Sequence, residues 1–472
     1  MLKVTLGTYK FDFFSSGPAI SIATGNEINS EVVDNILGAN LVGENKYKTY
    51  VDEVFVRGAK SIFDRIPKVN LKNGQEKKKK KPKEVTLLQE DCQAFGILVS
   101  KAHSLDEAFQ YPLTSVPLSI AESWVDLYSA DKSGFRNDIL EAANATEKKY
   151  PLGAVWITDG MSYVQSLPAE PTYGEYFEKL LCRMMPPEEY CANQLIIVMD
   201  TYLRFSAKEG TRNKRGENGA RVHITGFGQH MPKETAFREL LSNSDNKTDL
   251  IRLFVSYLKT ESVKQRLTIP IIATDADDTW SITKDKVEMI FKCDHEEADS
   301  RMILQALLSM KDCVICAKDT DVLILMIFAY SKFKVLRHWF MMYESGLFAN
   351  IRTIVEHLGS DICDALPQFH ALTGCDTTSY FFKAGKIKTF HKMIKNRVST
   401  TLISNLGRDA ILTQDDIENC MKFIQTIVYS GKKEESYIQT RIRLYKKQNK
   451  KTSRSLPPDP NSCYQAILRA HH

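Results

Sequence analysis

Seven acidic residues stand where a hard divalent cation would be a natural guest: Asp159, Asp200, Glu297, Asp299, Asp319, Asp321 and Asp376. In CVICAKDTDVLIL, an apolar run meets aspartates at i and i+2 before a second apolar run, the pattern of a buried strand turning into a helix. Carboxylates at such a strand end supply the oxygen ligands that hard cations require. Asp321 taken alone also fits a helix cap. HEEADSR opens the apolar-periodic stretch His295–Met310 and puts Glu297 and Asp299 near a first helical turn, where the macrodipole also favours acids. Positions two apart on a helix diverge by about 200°. The pair therefore serves one site only if the helix start is frayed or two metals are straddled. In ALTGCDTTS, Asp376 sits on a Gly-Cys-Asp turn that ends a helix ahead of the basic segment KAGKIKTFHKMIKN.

The elements that must position these groups are short apolar runs separated by polar helices, from about residue 151 onward. Ala154–Thr158, Leu195–Met199, Ile269–Thr274 and Cys313–Lys318 read as strands, with Phe333–Phe340 as a fifth. Asn246–Thr260 and His295–Met310 carry helical spacing. This alternation predicts an α/β fold with a mainly parallel sheet. Three of the four main runs end at or beside an aspartate: Asp159, Asp200 and Asp319. In open α/β sheets ligands bind beyond the carboxyl ends of the strands, so acids distant in sequence are expected to meet there.

At 472 residues the chain calls for two or three domains. Hydrophobic residues at 43% and charged residues at 26% describe a packed globular protein and exclude a fibrous or wholly disordered one. The N-terminus MLKVTLGTYKFDFF lacks a signal peptide's apolar run, and no apolar stretch reaches the roughly 18 residues of a membrane span, so a chain neither secreted nor membrane-spanning is expected. The ten cysteines then read as reduced and mostly buried, with Cys313 and Cys316 on a buried strand, and the sequons at Asn144 and Asn246 as inert. Residues 1–150 are expected to form a separate N-terminal region, mixed or helical, with TYVDEVFVRGAKSIFDRI as a helix. It contains a solvated Lys-rich linker at 73–84, whose Lys77 to Lys81 with Lys83 read as a nuclear import signal. Residues 431–472 are expected to be a basic, partly disordered tail in which LPPDPNS is extended.

Taken in order, the acidic motifs resemble those of the flap-endonuclease and xeroderma-pigmentosum-G nucleases of the PIN-like superfamily. Those enzymes place an Asp after each of the first two strands, an E-A-E at a helix start, a D-x-D after the next strand and a G-x-D before a helix-hairpin-helix. Here Asp159 and Asp200 fill the first two places, and Glu297-Ala298-Asp299 stands for E-A-E. Asp319-Thr320-Asp321 matches D-x-D, and Gly374-Cys375-Asp376 matches G-x-D. HEEAD, DTDVL and ALTGCDTTS also look like a broad group of animal proteins sharing this core. The resemblance covers about 151–396 and implies a three-layer PIN-like domain over 151–430, with an arch-like basic segment at 201–245 and a degenerate helix-hairpin-helix at 374–396. It further implies phosphate contacts from Lys208, Arg212, Lys214 and Arg215, and from Lys386 and Lys388.

The implied activity is Mg2+-dependent hydrolysis of phosphodiesters in DNA or RNA by the seven carboxylates, with two ions and Mn2+ able to substitute. The implied partner is nucleic acid, with no membrane. Asp299 in place of Glu shortens the reach by one methylene, and the hairpin lacks its full Gly-x-Gly turn. These departures leave a catalytically inactive PIN-like scaffold, binding nucleic acid or protein, as the alternative. CAKDTDVL also fits the nucleophile and acid of a haloacid-dehalogenase-like phosphatase, but the later Lys and acidic pair of that fold are not found.

Overall fold

The computed structural model describes residues 30–60, 93, 96–98, 100–114, 116–123, 126–128, 133–149, 151–202, 220–447 and 453–472. The chain forms two compact units, Met1–Lys83 and Glu84–His472. The expected boundary near residue 150 thus falls much earlier, at the Lys-rich stretch, which itself lies outside the described residues.

In the first unit, helices α1 (Ser30–Leu37) and α2 (Ala39–Val51) run into a π-helical turn at Asp52–Val56. The helix expected over 49–66 is broken at Gly58, whose positive φ of 60° interrupts the helical path, and its last six residues, 61–66, lie outside the described residues.

The second unit is built on one nine-stranded sheet. Its strands are β1 (Thr146–Glu147), β2 (Val155–Asp159), β3 (Gln194–Val198), β4 (Ile271–Asp275), β5 (Asp278–Ile282), β6 (Val287–Lys292), β7 (Cys313–Cys316), β8 (Trp339–Glu344) and β9 (Leu347–Asn350). They lie in the order β1-β9-β8-β7-β2-β3-β4-β5-β6. The five central strands, β8 to β4 in that order, pair in parallel, and antiparallel hairpins flank them on both sides. The helices used below are α3 (Ser133–Ala142), α4 (Gly160–Ser166), α5 (Tyr173–Met184), α6 (Ser244–Leu258), α7 (Ala298–Ser309), α8 (Thr320–Lys332), α9 (Ile351–Leu358), α10 (Ser360–Leu372), α11 (Lys386–Lys395), α12 (Gln414–Phe423), α13 (Tyr437–Lys447) and α14 (Pro460–His471).

Strand geometry sends alternate side chains to opposite faces, and the central strands use both. Val155, Ile157, Ile196, Val198, Cys313 and Ile315 enter one hydrophobic core, while Trp156, Leu195, Ile197, Val314 and Cys316 enter the other. Apolar runs buried on both faces are what a parallel sheet covered by helices demands. The α/β class and its mainly parallel centre are as the sequence predicts. The fifth strand is displaced, because Phe333 and Leu336 are exposed and pairing begins only at Trp339.

Two further expectations need correction. Helix α3 lies in the region assigned to a separate N-terminal part, yet its Phe135 and Ile139 are buried in the main core. The C-terminal stretch is helical and packed: Cys463 and Ile467 of α14 join that same core, and Asp459 of LPPDPNS caps the helix by accepting from the Ser462 amide. Its basic residues mask an amphipathic pattern whose apolar side is buried. Asn246 is fully buried, its amide donating to the carbonyls of Ala220 and Leu240. Among the described residues no helix is long and apolar enough to cross a membrane.

Candidate metal centre

The chain order of the parallel strands creates a crevice. From β2 the chain steps to β3 and β4 on one side, then returns to lay β7 and β8 on the other. β2 and β7 are thus the strands between which the winding reverses, where loops from the two halves diverge and leave room for a ligand. The register is flush there, with Asp159 opposite Val198 and Thr158 opposite Cys316. Asp159 ends β2, while Asp200 and Asp319 follow β3 and β7 by two and three residues, so all three leave the sheet at the same edge.

Helix starts fix the carboxylates there. Asp159 caps α4, its Oδ1 accepting from the amides of Met161 at 2.8 Å and Ser162 at 3.3 Å. Gly160 beside it packs closely on Met199, whose thioether would have to move aside for a Cβ, 2.3 Å from its sulfur. Asp319 caps α8 in the same manner, accepting from the Asp321 amide at 2.9 Å. Oδ1 of Asp200 accepts from the Ala298 amide at 3.0 Å, and the Thr201 amide donates to the Glu296 carbonyl at 2.8 Å, which docks the start of α7 beside β3. The 200° difficulty at Glu297 and Asp299 disappears because Glu297 is the N-cap, with extended backbone outside the helix, and only Asp299 is helical.

Asp376 is brought in by the turn after α10. Gly374 has φ of 113°, and a Cβ on it would lie 2.9 Å from the Tyr380 amide nitrogen, so glycine alone fits. The Thr378 hydroxyl closes the turn, accepting from the Cys375 amide and donating to the Ala371 carbonyl. One ligand oxygen each from Asp319, Asp321 and Asp376 then lies within 4.8 Å of the others, and this triad could hold a metal ion. Opposite oxygens around one hard cation, at about 2.1–2.5 Å from it, span about 4–5 Å.

The remaining carboxylates share one electrostatic field. Burial first, and then the charges of Asp319, Asp159, Glu297 and Asp200, push Asp299 up to about 7. Asp159 is pushed up to about 6, again by burial and then by Asp200, against the lowering effect of its two amide donors. Asp319 belongs to both groups and so links the triad by charge to Asp159, Asp200, Glu297 and Asp299. An all-carboxylate donor set selects hard ions over soft ones. Burial and, after it, the neighbouring carboxylates both disfavour the charged forms of Asp299 and Asp159, a cost that a bound cation would relieve.

Beside the carboxylates opens a cavity of about 940 Å³, lined by Asp159, Asp299 and Asp319 and also by Tyr163, Arg183 and Lys318. Sequence reasoning missed these last three. Arg183 is on α5, whose helical pattern shows only its buried face. It also missed Arg136 of α3, which braces two residues of the cavity wall: it donates to the Lys318 carbonyl at 2.9 Å, and its guanidinium lies 5.1 Å from the Tyr343 ring centroid.

Of the expected phosphate contacts, Lys208, Arg212, Lys214 and Arg215 lie outside the described residues. Lys388 is exposed on α11. Lys386 requires correction: its amine donates to the carbonyls of His370 and Gly374 at 3.1 and 2.5 Å and lies 5.3 Å from the Phe135 ring centroid, so it fastens the Asp376 turn. No protein-family model matches the chain, and no curated protein or solved structure does either.

Proposed function

We propose that the chain is a metal-dependent nuclease with a PIN-like core of the flap-endonuclease type, hydrolysing phosphodiester bonds in DNA or RNA. The observation that carries this reading is the gathering of seven carboxylates from five separate chain segments at the crevice between β2 and β7. In this reading Asp159, Asp200, Glu297 and Asp299 hold one Mg2+ directly or through water, and Asp319, Asp321 and Asp376 face the other. Two such ions, or Mn2+ in their place, supply an activated water and relief of charge on the leaving oxygen. Arg183 and Lys318 at the cavity wall meet the substrate's phosphates, and Tyr163 offers a ring for a base to stack on. Lys77 to Lys83 would carry the chain to the nucleus; a tagged chain whose location is unchanged when these lysines are replaced sinks that part.

The test is incubation of the purified chain with end-labelled structured DNA and RNA, with and without Mg2+, beside Asp319→Asn. Metal-dependent cleavage lost in the variant supports the reading. One observation favours the inactive scaffold: Lys386, which the hairpin would offer to a nucleic-acid backbone, is turned into the fold. Nucleic-acid or protein binding with no cleavage under either ion would decide for it, and an aspartyl-phosphate trapped on Asp319 would decide for the phosphatase.

A further inference from the structure

His370 sits in the last turn of α10 and is 5% exposed. Its ring stacks on Phe135, centroids 6.1 Å apart and planes 17° off parallel, and Phe135 is itself held edge-on by Phe390 at 5.0 Å. Held against that wall, the imidazole meets Oδ1 of Asp321 with its Nε2 at 2.7 Å. The main chain of His370 is fixed as well, because the Lys386 amine bridges its carbonyl to that of Gly374, at the root of the Asp376 turn.

We infer that His370 is a positioning residue for Asp321, locking the carboxylate so that it is ready to take a divalent cation together with Asp319 and Asp376. This rests on the metal reading of the site above. The physical reason is preorganisation. A carboxylate in the first turn of a helix rotates about its side-chain bonds, and a triad with a 4.8 Å spread is met only while Asp321 stays in place. A donor fixed by stacking removes that freedom before the ion arrives. Hydrogen bonds from such outer groups to ligating carboxylates typically alter metal affinity by about 10- to 100-fold. A histidine on an apolar helix face is often just a packing residue, and the two roles make different demands: packing needs the ring, positioning needs the N–H.

The experiment reads Mn2+ binding to the full chain directly, from the loss of the free-ion electron paramagnetic resonance signal, with no substrate present. His370→Phe keeps the ring on Phe135 and deletes the donor, while His370→Gln sacrifices the ring and places an amide N–H at a similar reach. His370→Phe should weaken Mn2+ binding by about tenfold or more, and His370→Gln should recover it to within about threefold of the parent. In an Asp321→Asn background, His370→Phe should cost no further affinity, a comparison that also guards against a general folding defect. Parent-like binding by His370→Phe, equal weakening by both single variants, or additive losses in the double variant would each overturn the inference. A parent chain that binds no Mn2+ would bring down the metal reading itself, and the inference with it.

Discussion

Asp299 and Asp275 lie at the same edge of one sheet, both partly buried, and their surroundings point in opposite directions. Burial raises both. Around Asp275 the protein answers with cations: Arg252 lies 3.9 Å away, and Lys259 and Arg301 also favour the charged form. Its neighbour Asp278 is matched by Lys292 at 3.6 Å. Around Asp299 the acting charges are four more carboxylates, which push it higher still, up to about 7. The topology explains where each solution occurs. At β4 the sheet turns antiparallel, and the tight β4–β5 connection packs over the buried guanidinium of Arg301. At β2 and β7 the winding reverses, the loops diverge and the acids face a cavity. One acidic cluster is closed by the fold, and the other is open to something positive from outside.

The contrast breaks first, and furthest, at Asp319, the residue common to both groups in the open cluster. Asp319→Asn removes a charge and almost no volume while keeping an oxygen for the helix cap. If the open cluster is catalytic, Mg2+-dependent cleavage should fall by about a hundred- to a thousandfold, the scale on which lost transition-state electrostatics are measured. Circular dichroism should remain that of the parent. Cleavage within tenfold of the parent would show that the cluster is not the reaction centre.

The closed cluster is tested at Arg301, which is fully buried and donates to the carbonyls of Ala276 and Asp278 and the hydroxyls of Thr201 and Thr279. Arg301→Met strands those acceptors and takes away the cation that Asp275 and Asp278 share. The expected cost is about 2–3 kcal/mol in denaturant unfolding, the scale of losing a charged donor and leaving buried acceptors unsatisfied. A loss below about 1 kcal/mol would mean that water enters and replaces the guanidinium.

A smaller effect is expected at the cavity wall. Arg183→Ala should weaken binding of single-stranded DNA or RNA by several-fold, irrespective of sequence, and flatten its salt dependence by about one counterion. Unchanged salt dependence in fluorescence anisotropy would place the nucleic acid elsewhere.

The open cluster was legible in the sequence because each of its residues sits where an element begins or ends. Apolar runs mark strand ends, and Asp159 and Asp319 follow them directly; Gly374 marks the turn that carries Asp376. Cation placement was not legible. Lys386 and Lys388 look alike in KAGKIK, yet one is bonded inward to the carbonyls of His370 and Gly374 over the ring of Phe135, 251 positions away, and the other is exposed. His370 gives no sequence signal for the same reason, since its partner Asp321 is on another helix. Strands β5 and β6 escaped because they are short and only partly buried, without the apolar runs that betray the centre, and β9 because four residues are too few to show a period. Helix α13 escaped because lysines and arginines crowd its sequence while Thr440 and Arg441 turn inward, and α14 because it follows the proline-rich LPPDP and hides Cys463 and Ile467 among polar residues.

The finest distinction between the two clusters is in their response to pH without metal. Asp299 and Asp159 hold protons in the folded chain up to about 7 and about 6, whereas an unfolded aspartate loses its proton near 4. Between those values the folded state binds more protons than the unfolded one, so stability falls as pH rises. The contribution of these groups is fully present below about pH 4 and is lost by the time the pH has passed through 7. Asp299→Asn keeps the position neutral throughout. In the presence of a chelator its melting temperature should match that of the parent near pH 4 and exceed it at pH 8, by about 2 °C for a unit of this size. Asp275→Asn should show a smaller rise over the same range, because Arg252, Lys259 and Arg301 already steady the charged form there. Excess Mg2+ should reverse the order at Asp299, since the parent then gains binding free energy that the variant lacks. A melting difference at Asp299 that stays flat from pH 4 to 8 would show that its neighbours do not repel it, and the distinction between an open and a closed acidic cluster would go with it.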